Sequence, residues 1–391
     1  INAIIIIIQI YVYVKILWGV NVRFEFHLPT QIIFGESGFE NLIQIKNYGN
    51  RVLIITGGNS SKENKYLDKA IEILESNQIF NFTYENVIKE PECKTVDDAI
   101  SICKKNKCNV IIALGGGSVI DTAKAVSVGG VENSDIWDFL RPDSRRRAIR
   151  SSLPLITIPT TIGAYSSLNN IAYIKNSEIG YKTFLKSKYI FPKITILNPD
   201  LMKSLSNSQL IQGAFEIFCE NLECIFMSEN NITLLYASES LKLLYYNLKN
   251  AFDKRDISRY IENLTYASFL TGLATVAAGT SLLNTLASTI STKFNIPQIH
   301  ALYKILPSYI IYNQDANNRI EYNGFTNISK MVESLRNFFE DKLETDKFKD
   351  IVLTPLDIDK LSEECSMMFY EKDDKTREEI KLKCKSIYEN I

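Results

Sequence analysis

The apolar positions fall into two textures along the chain. In the first, short runs alternate between two periods. Arg51–Thr56 (RVLIIT) and Asn109–Leu114 (NVIIAL) are unbroken apolar runs ending at glycines, the pattern of strands buried on both faces. Between them, Lys65–Ser76 repeats Leu67, Ala70, Ile71 and Leu74 at helical spacing. Phe80–Val87 is strand-like, and Val96–Lys107 carries Val96, Ala99, Ile100 and Cys103 on one helical face. Leu155–Pro159 and Lys193–Leu197 are further strand candidates, and Arg23–Gly38 reads as two short strands around a Leu28-Pro29 turn. Strands alternating with helices of about ten residues predict βαβ units and a parallel sheet.

After Asn198-Pro199 the texture becomes helical. Ser206–Phe226, Leu234–Asn247, Ile257–Thr271 and Ala274–Lys293 read as helices, with no strand among them. The expected architecture is a Rossmann-like α/β domain with a parallel sheet over 21–200, followed by an all-α domain over 201–391. Ile1–Val20 stands apart. It is β-branched and aromatic, broken by Lys15, without a basic start or a small-residue cleavage site. Its unbroken apolar part is shorter than the roughly 20 residues of a spanning helix. It is expected to be an apolar extension outside the fold, and no membrane association is expected.

Composition narrows the chemistry. Of 391 residues only 2 are histidine, so one subunit cannot build a three-histidine metal site. Lys+Arg 44 against Asp+Glu 45 gives a net charge of -1, without the basic footprint of a nucleic-acid binder. The 7 cysteines form no C-x-x-C pair and read as reduced, which points to the cytoplasm. Arg141–Arg150 (RPDSRRRAIR) is most simply a solvated loop, with phosphate binding as the alternative.

Chemistry-bearing residues begin at Gly115-Gly116-Gly117-Ser118, directly after the run Asn109–Leu114 and ahead of a helix over Asp121–Val128. Glycines let backbone N–H groups approach an anion, and a helix N-terminus adds its dipole, so a pyrophosphate suits the turn. An ordinary tight strand-to-helix turn is the competing reading. A second loop, Ile158-Pro159-Thr160-Thr161-Ile162-Gly163, offers hydroxyls after a strand.

The runs GGGSVIDTAK and IPTTIG, in this order and spacing, resemble the iron-containing alcohol dehydrogenase family, together with LPTQIIFG, Lys182 and ILNPDL at Ile196–Leu201. The resemblance covers roughly Arg23 to Asn313 and favours the butanol dehydrogenase-like branch. It implies an NADP (or NAD) cofactor on Gly115, Gly116, Gly117, Ser118, Asp121, Thr160, Thr161 and Lys182, and a small alcohol or aldehyde as substrate. Gly57 and Ser60 lie in a run similar to that of NADP-using members. An Asp at Gly57, as in many NAD-preferring relatives, would hold the ribose and repel a 2′-phosphate. A homodimer is common in such families.

The departures lie at the metal. The family's ligands are an Asp, a His four residues later, and two further His fourteen residues apart. Here those positions hold Glu216, Glu220, Asn284 and Gln298, and a proton-relay His is matched by Ser288. Imidazole suits iron and zinc, whereas carboxylate and carbonyl oxygens suit a hard divalent ion. Iron or zinc is therefore not expected, a hard ion is conceivable, and a protonated Glu216 or Glu220 is the metal-free general acid. His300, two residues after Gln298, is either a substrate contact or structural, and His27 reads as structural. By periodicity alone Glu216, Glu220 and Glu223 form the wet stripe of an amphipathic helix; in the family fold the same stripe faces the cleft. Three functions follow: an alcohol dehydrogenase-type oxidoreductase, a nucleotide-binding pseudoenzyme, or a metal-independent enzyme with another substrate.

Overall fold

The computed structural model describes residues 24–58, 65–228, 230–254, 260–279, 281–313, 328–343 and 351–391. The apolar extension 1–20 and Ser60 lie outside them. Six parallel strands form the main sheet in the order β1-β8-β5-β4-β2-β3. These are β1 (Gln31–Phe34), β2 (Arg51–Gly57), β3 (Phe80–Val87), β4 (Val110–Gly115), β5 (Leu155–Pro159) and β8 (Ile194–Leu197). The apolar runs have no polar phase because both faces are covered. Val52 and Ile54 pack with Leu67 and Leu74 of α1 (Tyr66–Ser76), while Leu53 and Ile55 pack with Val96 and Ile100 of α2 (Cys93–Lys105).

The N-terminal segment differs from its expected pair of strands. Residues 24–30 have no regular structure, and the chain joins the sheet only at Gln31, whose N–H donates to Lys193 O at 3.0 Å. Pro29 has no N–H to offer a ladder. After Gly35 a 3-10 helix, Glu36–Asn47, buries Phe39, Leu42 and Ile45. A two-stranded antiparallel hairpin was also not legible: β6 (Ile171–Asn176) and β7 (Tyr181–Lys186), closed through Gly180 at φ 63°.

From Asn207 onward the described residues are helical: α4 (Asn207–Met227), α5 (Asn231–Lys254), α6 (Ile261–Ala278), α7 (Leu282–Phe294), α8 (Gln298–Tyr312), α9 (Ile328–Lys342), α10 (Pro355–Met367) and α11 (Asp374–Tyr388). Their apolar faces share one core around Phe215, Phe218, Leu286 and Tyr309. The break between α6 and α7 falls at Gly279, at φ 92°, and not between the expected helices Ile257–Thr271 and Ala274–Lys293. Gly272 sits inside α6, where a Cβ would meet Leu168 at 2.4 Å. It serves helix packing rather than termination. No single described helix is long and apolar enough to cross a membrane. All seven cysteines are free thiols.

Candidate active site

A cavity of about 460 Å³ lies between the α/β sheet and the helical region. Its floor on the sheet side is the turn from β4 into α3 (Gly117–Gly129). Gly116 caps α3 without a side-chain hydrogen bond, so the first N–H groups of the helix are uncommitted to any cap. A Cβ on Gly116 would meet Thr161 at 3.2 Å, and one on Gly117 would meet nothing within 4 Å. The turn is thus tight against the Thr loop and open towards the cavity, a cradle that fits a dinucleotide's phosphates. Gly116, Gly117, Ser118, Asp121, Thr161 and Lys182 line the cavity, whereas Gly57, Gly115 and Thr160 do not. Gly115 packs on Val119 and its carbonyl accepts Thr160 N–H at 3.1 Å, so both shape the turn from behind. Ser118 Oγ donates to Lys89 O, tying the turn to the loop after β3.

Two buried charges hold this wall. Lys124, 0% exposed, donates to Ser166 O (2.6 Å), Asn169 Oδ1 (2.8 Å) and Ile171 O (2.6 Å). Burial lowers it to about 8. Asp121 accepts Tyr173 N–H at 3.0 Å, and burial raises its carboxyl to about 6. The Asp and Lys of the glycine motif therefore fasten α3 to the segment 166–173.

The helical wall is α4, α7 and the start of α8. The glutamate stripe of α4 is not wet. Glu220 and Glu223 are each 4% exposed and Glu216 is half-buried, because α7 and the loop after β5 cover that face. Contact is close: a Cβ on Gly213 would meet Gly163 N at 2.9 Å, and one on Gly163 would meet the Glu216 carboxylate. Glu223 points away from the cavity and accepts N–H groups from Leu282 and from Leu283 (2.8 Å), with Ser281 Oγ a further donor. A buried carboxylate thus caps α7 and fixes the first turn that carries Asn284.

The four positions that the resemblance assigns to metal ligands come together at the cavity, and three of them, Gln298, Asn284 and Glu220, form a hydrogen-bond chain. Lys182 Nζ donates to Gln298 Oε1 at 2.6 Å, Gln298 Nε2 donates to Asn284 Oδ1 at 3.1 Å, and Asn284 Nδ2 donates to Glu220 Oε1. Tyr165 OH donates to the same Glu220 oxygen at 2.8 Å. An ammonium only donates, so Lys182 orients both amides: each oxygen faces back towards the lysine and each NH2 faces forward. Glu90 steadies Lys182 at 3.4 Å. This donor set does not fit a metal ion. An amide N–H stands where an imidazole nitrogen would bind, and both amide oxygens already accept. Among the described residues no three His, Cys, Asp or Glu side chains converge as ligands.

Electrostatics favours protons here instead. Burial raises Glu216 to about 7. Burial, reinforced by the Glu223 charge, raises Glu220 to about 8, against the lowering effect of Tyr165. Ser288 is fully buried, 3.4 Å from Gln298 Oε1, and does not line the cavity. Nor does His300, although Gln298, Ile299 and Leu302 do. Exposed His27 meets Phe191 edge-on. The contributor that sequence reasoning missed is Tyr165; only its position just past the Thr loop hinted at it.

Comparisons with known proteins agree with the motifs. The model of iron-containing alcohol dehydrogenase matches residues 29–199, and that of the Fe-containing alcohol dehydrogenase family C-terminal region matches 211–351. NADH-dependent butanol dehydrogenase B of Clostridium acetobutylicum is 30% identical over 311 residues, 77% of this chain and 79% of that one. Butanol dehydrogenase A of the same organism is 31% identical over 250 residues, and the match spans 63% of this chain and just 64% of that relative. The crystal structure of NADH-dependent butanol dehydrogenase A from Thermotoga maritima superposes with a TM-score of 0.80 at 24% identity, covering 94% of this chain and 98% of that one. With both halves matched in order, the chain belongs to the iron-containing alcohol dehydrogenase family.

Proposed function

We propose that this chain is an NADP-dependent, metal-independent oxidoreductase that moves a hydride between nicotinamide and a small alcohol or aldehyde. One observation carries the reading: a single cavity joins the glycine cradle at one end to the Glu216 and Glu220 carboxyls at the other. When bound, the dinucleotide supplies the hydride. The chain's own groups do the rest. The N–H groups of Gly117 and Ser118 hold the phosphates, and Thr161 flanks them. Glu216, raised to about 7, gives its proton to the carbonyl oxygen during reduction and takes it back during oxidation. Glu220 and Tyr165 position the substrate oxygen, and the chain from Lys182 holds Glu220 in place. Ser288 and His300 have no direct part. NADP is favoured by Gly57, which has no carboxylate to repel a 2′-phosphate. The proposal includes a cytoplasmic homodimer, checked by fractionation and sedimentation.

The test is metal analysis, titration with NADPH and NADH, and turnover on an aldehyde panel with and without EDTA. Turnover indifferent to EDTA, with tighter NADPH than NADH, is expected. Dependence on iron or zinc overturns the metal-free reading. Dinucleotide binding without turnover leaves a nucleotide-binding protein.

A further inference from the structure

A second cavity, about 480 Å³, lies away from the first, between the loop after α3, the end of β7 and the turn joining α10 to α11. Five cations line it: Arg141, Arg146, Arg147, Lys186 and Arg377. The two carboxylates on its walls are already engaged, Asp143 by Arg145 at 2.6 Å and Glu371 by Lys186 at 3.2 Å. Arg141 has Asp138 (3.0 Å), Arg147 has Glu132 (3.8 Å), and Arg377 has Asp374.

Arg146 differs from the rest. It is not solvated, as the loop reading had it, but tucked in with its guanidinium 3.6 Å over the Tyr370 ring. One NH2 group donates to Phe184 O at 2.7 Å. No carboxylate lies within ion-pair distance among the described residues, and its other guanidinium N–H groups meet no protein acceptor. The opposite wall carries the matching signal: Arg377 Nε is a buried donor with no acceptor. Buried donors are ordinarily satisfied, and two guanidinium groups with donors to spare select a tetrahedral oxyanion over a point charge. The cavity is larger than a bare phosphate needs and is in the size range of small-ligand sites.

We propose that this cavity is a second ligand site, for a phosphate-bearing anion held by Arg146 and Arg377. It is independent of the hydride-transfer reading. Arg146 grips the backbone of β7 at Phe184, two residues from Lys182, so an occupant would bear on the strand that orients the amide pair.

The experiment is calorimetric titration at fixed ionic strength with inorganic phosphate, pyrophosphate and glycerol 3-phosphate, against wild type, Arg146→Ala, Arg377→Gln and Gly117→Val. Gly117→Val blocks the glycine cradle and separates the two phosphate-binding places. Expected is a binding component that Arg146→Ala and Arg377→Gln each weaken at least ~10-fold and that persists in Gly117→Val. Tighter glycerol 3-phosphate than inorganic phosphate assigns the site to a monoester; the reverse assigns it to free phosphate or pyrophosphate. Binding lost in Gly117→Val but intact in both arginine variants overturns the proposal, as does no binding to wild type. Should Arg146→Ala fail to fold, Arg377→Gln on the half-exposed face of α11 carries the test alone.

Discussion

The two ends of the active-site cavity solve the same problem with different materials. At the glycine end the ligand-facing groups are backbone N–H donors of α3, and side chains serve mostly to hold that backbone still. At the helical end the ligand-facing groups are side chains, and Gln298 and Asn284 answer Lys182 and Glu220 rather than a ligand. Backbone chemistry survives as long as the turn keeps its glycines. Side-chain chemistry is rewritten by a few substitutions, here Glu216, Glu220, Asn284 and Gln298. A fold can therefore keep the backbone of its cradle while the side chains that face it are exchanged.

The largest effect is expected at the glycine end. Gly117→Val should fold normally, since its Cβ meets nothing, yet lose dinucleotide affinity by ~100-fold or more, because the side chain fills the space a phosphate needs. Circular dichroism and NADPH fluorescence titration read the two parts; unchanged affinity would sink the cradle. Next comes Glu216→Gln, expected to cut turnover about 100-fold with NADPH affinity intact, the scale of a lost general acid. A variant as fast as wild type would move the proton donor elsewhere. Lys182→Met should reduce turnover about tenfold while changing NADPH affinity little, since its ammonium is committed to Gln298 and Glu90. Gln298→Met should reproduce it. A large loss of NADPH affinity instead would return Lys182 to the cofactor.

The smallest effect is on stability against pH. Glu216 and Glu220 have folded values near 7 and 8, above the ordinary 4.5. The folded state therefore holds protons that the unfolded chain releases. Their contribution is fully present below about 4.5 and is lost as pH rises through 7 to 8. Tm should fall from pH 5 to pH 8, and Glu220→Gln should flatten that slope. The same sign applies to activity: carbonyl reduction should decline as pH passes about 7, the value of Glu216.

Much of the fold was legible because periodicity reports burial. The strands over 51–57, 110–115, 155–159 and 194–197 were visible as apolar runs and 80–87 as a strand-like segment, and the GGGS turn fell at the expected strand–helix junction. The β6–β7 hairpin was not: Lys182 is a buried position of β7 that reads as polar, although the two strands pair across only a short turn. Periodicity also misjudged the glutamate stripe. It ranks faces by polarity, and polar residues facing an internal cleft look the same as polar residues facing water. The resemblance located Glu220, Asn284 and Gln298 together, but only coordinates show that they bond to one another.

Lys124 gives the motif a further meaning. The last residue of GGGSVIDTAK touches no ligand position; it is sealed inside and binds the backbone on both sides of Asn169. The cradle helix and the stretch leading to Tyr173 are therefore one rigid body, with Tyr165 next to the anchored Ser166. On the other side of that body Gly163 and Gly213 bring the Thr loop and α4 into backbone contact, with the Glu216 carboxylate against Gly163. A side chain at either glycine would push the helix that carries Glu216 away from the cradle, so the width of the cleft is set by two missing methyl groups.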